Sequence, residues 1–208
     1  MNTLFAWLIN AGYLAGNPFS LSRRLARKAK PRVTRFLDDD LWQAVETSID
    51  AMPRDTAREQ EHYARVRRLV SLLYLMGLRI SEVVTNPMGG LFRRRDRERL
   101  DRWWLAITGK RDKERLLPAT TELMAELTRY SRHYGLAALP YGGETTPLLL
   151  PIGGTQRALT RGAVHLVIKQ VFENAINHLQ SAGEVCERAS ERLRQASAHW
   201  LGTQRALA

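Results

Sequence analysis

The chain is poor in the features that mark secreted, membrane-spanning or metal-built proteins. Its 208 residues hold one cysteine, Cys186, so no internal disulfide can form and no CxxC pair is present for zinc or redox chemistry. That usage points to a reducing, cytoplasmic setting. Long apolar runs are missing too. The longest, LVSLLYLMGL, falls far short of the roughly 20 residues needed to span a bilayer. The opening MNTLFAWLINAGYLAGNP has no basic stretch ahead of its apolar part, which argues against a signal peptide. Acids are scarce: 21 Asp and Glu stand against 32 Lys and Arg, for a net charge of +11.

What is present is an ordinary globular composition, 44% apolar, on a strongly basic chain. The length suits one mid-sized domain, or one domain with a piece of another. An excess of arginine favours a polyanionic partner, because the planar guanidinium matches phosphate oxygens. The excess is uneven. Residues 21–35 read LSRRLARKAKPRVTR, with seven basic side chains (Arg23, Arg24, Arg27, Lys28, Lys30, Arg32 and Arg35) and no acid. Unopposed like charges repel unless an anion lies against them, so this run is expected to meet a polyanion, of which nucleic acid is the first candidate. A second cluster, RRRDRER over Arg93 to Arg99, is partly self-compensated and reads as an exposed loop insertion.

Hydrophobic spacing organises the rest. Phe5, Leu8, Ile9 and Tyr13 predict a helix over 4–16, stopped by Gly16-Asn17-Pro18. Residues 38–51 form a helix with acids in its first turn. Residues 57–76 form a longer one, with Leu69, Leu72, Leu73 and Met76 facing a core and Gly77 ending it. A short helix follows, with Ser81 as its N-cap. In 103–118 the period changes. Trp103, Leu105 and Ile107 alternate, predicting a β-hairpin with a basic tip at Gly109 to Lys113. Helices are expected again over 120–134, after Thr160 (Val164, Val167, Ile168, Val171 and Phe172 inward) and over 184–196, with His199 opening another. The expected class is mainly α with a small antiparallel sheet, α+β.

Three segments stand out in order: Gly77-Leu78-Arg79-Ile80-Ser81-Glu82, then Gly109-Lys110 with Lys113, Arg115 and Pro118, then His199 in ASAHWL. Singly, each has an ordinary structural explanation. Together they resemble the catalytic domain of the tyrosine recombinases, the phage-integrase and Xer-like family, which carries GLRxxE at a helix junction, a GKxxKxRxxP hairpin and HxxR at a later helix start. The resemblance implies a domain that breaks and rejoins double-stranded DNA through a phosphotyrosyl intermediate, with no metal and no cofactor. Arg79 would clamp the scissile phosphate, where fixed guanidinium donors suit the developing charge. Lys110 would protonate the leaving oxygen, and His199 would donate to the phosphate. Glu82 would buttress the Arg79 junction and Lys113 would contact DNA. The resemblance further implies residues 1–20 as the last helix of a core-binding domain, 21–35 as an interdomain linker and 36–208 as the catalytic domain. Other recombinase protomers would be partners in a higher-order complex.

The sequence departs from the family where Gly202 stands three residues after His199, at the place of a second arginine. All six tyrosines precede His199, and Tyr74 and Tyr130 lie on apolar stripes that mark them as core. The expectation is a chain that lacks its C-terminal helices, bares apolar surface over 161–200 and cannot complete cleavage. A frameshift or early stop near codon 202, and a natural start upstream of Met1, are the economical accounts. The alternatives are a non-catalytic DNA-binding protein that occupies recombination sites and, further off, a helix-turn-helix regulator built on LYLMGLRISEVVTN. The lysine-bearing hairpin argues against the last.

Overall fold

The structure, a computed structural model, describes residues 2–17, 37–95, 99–109, 114–153, 155, 157–181 and 187–203. His199 is among them in its backbone alone. The basic residues of 21–35, Lys110 and Lys113 lie outside the described residues. The chain divides into two compact units, Met1–Thr34 and Arg35–Ala208.

In the first unit, helix α1 spans Asn2–Asn10 and ends six residues before the expected stop at 16. Gly12 is the reason. At φ 76° it takes the left-handed conformation, its N–H bonds the Ile9 carbonyl, and the Tyr13 N–H bonds that of Leu8. Those two bonds are a Schellman end, which glycine permits without strain. The rings of Trp7 and Tyr13 stack across this turn, 6.4 Å apart.

The second unit is built on helices α2 (Asp39–Asp50) and α3 (Ala57–Met76). Thr56 starts α3 with a capping box: its hydroxyl accepts the Glu59 N–H (3.2 Å) and Glu59 returns the bond to the Thr56 N–H (2.9 Å). Val66, Leu69, Leu72 and Leu73 of α3 are wholly buried, each worth about 1.5–3 kcal/mol against exposure. Gly77, at φ 63°, closes the helix, and the Gly77 and Leu78 N–H groups both turn back to the Leu72 carbonyl.

A six-residue helix α4 (Ile80–Thr85) and a 3₁₀ turn (Met88–Gly90) lead into a three-stranded antiparallel sheet, β1 (Leu91–Arg95), β2 (Asp101–Thr108) and β3 (Glu114–Ala119), in that spatial order. β1 corrects the loop expected at RRRDRER. Arg93, Arg94 and Arg95 pair with Trp103, Arg102 and Asp101, so these arginines extend a strand. Arg95 meets Asp101 at 3.4 Å, and the Arg93 guanidinium lies 5.9 Å from the Trp103 ring. Leu91 and Leu105 face each other on the buried side.

Helix α5 (Thr121–His133), capped by the Thr120 hydroxyl, packs on α3, and Tyr130 is buried as expected of a core residue. Tyr74 is half-buried, with its ring 3.8 Å from that of Trp42. The segment that follows has no regular structure. It is tied down by a Pro87–Pro147 bridge and by Leu148, Leu149 and Leu150, all buried. Helix α6 (Arg161–Ser181) packs on α2 and α4 with the five inward residues named from its spacing all buried. Helices α7 (Glu187–Gln195) and α8 (Ala198–Thr203) complete the described chain. Arg192 of α7 pairs with Asp38 at the start of α2. Among the described residues of 161–200, Leu166 is the one strongly exposed large hydrophobic residue, and Trp200 and Leu201 fold inward as α8 packs on α3.

Candidate functional site

Arg79 follows directly from the way α3 ends. Gly77 reverses the chain, Leu78 is buried (2% exposed), and Arg79 takes the extended conformation at the N-cap of α4. Its side chain is 68% exposed, free to meet a ligand. The N-cap is therefore Arg79 and not Ser81, which lies one residue inside the helix. Arginine has no acceptor with which to cap. The bond comes instead from the other half of the motif: Glu82 Oε2 accepts the Arg79 N–H at 2.9 Å.

Glu82 is buried, and its two oxygens serve two arginines. Oε1 is 3.4 Å from Arg79 Nη1, and Oε2 is 2.7 Å from Arg115 Nη2. Arg115 is the second residue of β3 and pairs with Ile107 near the end of β2. One buried carboxylate thus ties the helix junction to β3, through a short, charge-assisted bond to Arg115 and a longer one to Arg79. The motif spacing gave Arg115 a place and no role.

Asn86 was missed altogether. It is buried (6% exposed), and its Nδ2 donates to the Glu82 carbonyl at 2.9 Å while its Oδ1 accepts the Thr108 N–H at 3.0 Å. Its own carbonyl accepts the Leu148 N–H at 3.3 Å. Thr108 is the last residue of β2, so Asn86 pins the turn end of that strand to the end of α4. No local pattern could have found it, because the two partners that give it this role, Thr108 and Leu148, lie 22 and 62 residues away.

His199 falls in the first turn of α8. Of the elements named so far, α4, β3 and α8 all pack against α3, so those carrying Arg79, Arg115 and His199 gather around one helix. Among the described residues no group of three or more His, Cys, Asp or Glu could hold a metal ion, and no helix is long and apolar enough to cross a membrane.

No family model matches the chain. Its relatives are nonetheless consistent. It is 31% identical over 194 residues to tyrosine recombinase XerC of Xanthomonas campestris pv. campestris (strain B100), covering 87% of this chain and 53% of that protein. It is 29% identical over 189 residues to tyrosine recombinase XerC of Xylella fastidiosa (strain 9a5c), covering 87% of this chain and 58% of that protein. The chain spans just over half the length of these curated relatives. Its fold matches the XerH site-specific recombinase in a post-cleavage complex with palindromic difH substrate, with a TM-score of 0.54 at 19% identity over 85% of this chain and 43% of that one. The chain carries a tyrosine recombinase/integrase-like domain. In such a domain the three-stranded sheet on a helical body is the expected architecture, and the α+β class read from the sequence is the observed one.

Proposed function

We propose that this recombinase-like domain binds double-stranded DNA in the cytoplasm as part of a site-specific recombination system that works by strand breakage and rejoining through a phosphotyrosyl link. One observation carries the reading. Buried Glu82 holds Arg79, whose guanidinium reaches solvent, in fixed relation to Arg115 at the start of β3, five residues after Lys110 in the sequence. That arrangement suits a scissile phosphate held by Arg79, a leaving oxygen protonated by Lys110 and a further donor in His199. Glu82 acts as the support. Seven basic side chains over 21–35, together with Lys113, supply phosphate contacts, with 1–20 as the end of a core-binding domain and 36–208 as the catalytic domain. Further recombinase protomers are the natural partners.

Gly202 favours a second reading. It offers no side chain three residues after His199, at the place of the family's second arginine. The 208-residue chain by itself would then occupy a recombination site without cutting it. A suicide substrate, which traps any covalent protein–DNA adduct, separates the two. The expected result is retarded DNA with no adduct. An adduct would restore the cutting reading, and failure to shift duplex DNA at low salt would remove both.

A further inference from the structure

Arg68 of α3 is 1% exposed. Its Nε donates to the Leu148 carbonyl at a long 3.4 Å, and its guanidinium carbon lies 5.9 Å from the Tyr130 ring centre. Its two terminal nitrogens, with four N–H bonds between them, are sealed from solvent and have no hydrogen-bond partner. One turn earlier on the same face, the Nε of Arg65 is also buried without a partner. The Tyr134 hydroxyl lies near that of Tyr130, also sealed and without a well-formed bond to it. The nearby carboxylates are spent elsewhere. Glu126 takes Arg67 (2.6 Å) and Arg129, and Glu61 takes the Gly153 N–H (2.6 Å). Burial holds the Arg68 guanidinium below its usual range, at about 10, only partly offset by Tyr130 and Glu126. It therefore stays charged at neutral pH.

A buried cation without a counter-charge is among the most costly arrangements in a protein interior. Water would satisfy the N–H groups and leave the charge unbalanced. A small anion does both. We propose that the corner between α3, α5 and the segment 148–153 binds a monovalent anion of halide size, held by the terminal nitrogens of Arg68 with the Arg65 Nε and the Tyr134 hydroxyl as further donors. The acceptors there are already engaged, the Leu148 carbonyl by the Arg68 Nε and the Tyr130 hydroxyl oxygen by the Leu150 N–H, and a sealed corner does not suit phosphate or sulfate, whose outer oxygens would need partners of their own. The site lies about 12 Å along α3 from the end that leads to Arg79, and it does not depend on the DNA reading.

Two measurements on the unmodified chain test this. In crystals soaked in bromide, the anomalous map is expected to show a peak within hydrogen-bond distance of the Arg68 terminal nitrogens. In thermal melts at constant ionic strength, replacing gluconate by chloride or bromide is expected to raise Tm by about 5 °C or more at a hundredfold excess over Kd. Arg68→Met should abolish the halide response, and Arg94→Gln, on exposed β1, should keep it. If Arg68→Met does not fold, ³⁵Cl line broadening by the unmodified chain, reversed by bromide, replaces it. A water in the map at Arg68, identical melting in gluconate and chloride, or unbroadened ³⁵Cl lines would each overturn the proposal.

Discussion

Removing the Asn86 side chain would strand the Thr108 N–H, whose part-buried bond closes the end of β2. Asn86→Ala is expected to lower the unfolding free energy by about 1–3 kcal/mol, read as a reduced urea midpoint at unchanged slope. His62 gives a pH signature. Burial, and then the positive charge of Arg65, hold its imidazole below the usual value near 6.5. The unfolded chain therefore takes up the proton more readily, so stability is full above that value and falls as pH drops through it. Denaturation at pH 7.5 and 5.5 should show this loss, and His62→Gln should reduce it. At this scale the sequence was legible where chemistry repeats in a motif, as at Arg79 and Glu82. It was opaque where a role depends on distant backbone. Asn86 reads as a turn residue before a proline, and Arg68 reads as one more arginine on a helix whose apolar stripe says nothing of what sits between its leucines.

Elements were legible when their ends carried signals of their own. α3 begins at a Thr56/Glu59 box and stops at Gly77, and its bounds follow from the residues. β2 declares itself by alternation. β1 does not, because three consecutive arginines satisfy no apolar period, and only pairing with β2 reveals the strand. α1 ran short because the sequence offers two glycines, 12 and 16, and spacing alone does not say which turns left-handed. The 3₁₀ turn before β1 depends on a close approach. A Cβ on Gly89 would sit 2.4 Å from the Glu144 carbonyl oxygen, where the Gly89 N–H now bonds at 3.1 Å. Gly89→Ala should force the two segments apart, destabilising the domain by about 1–3 kcal/mol and lowering Tm accordingly. Gly142→Ala, with open space around it, should leave Tm unchanged.

For the whole molecule, the net charge of +11 would make the proposed DNA binding a matter of counterions. Each lysine or arginine that meets a phosphate contributes about one unit to the slope of log affinity against log salt. Replacing Arg23, Arg24 and Arg27 by glutamine should flatten that slope by about three units and weaken binding to all duplexes alike. A change confined to one sequence would mean base contacts instead. Storage raises a different matter, the slow chemistry of asparagine. Deamidation proceeds by attack of the following backbone nitrogen on the side-chain amide, after that nitrogen has given up its hydrogen. Asn86 is followed by Pro87, whose nitrogen has none to give. The amide that pins the hairpin is thereby guarded against conversion to aspartate, which would set a second carboxylate one helical turn from Glu82. Peptide maps of aged protein should show loss of amide at Asn10 or Asn177 while Asn86 stays intact.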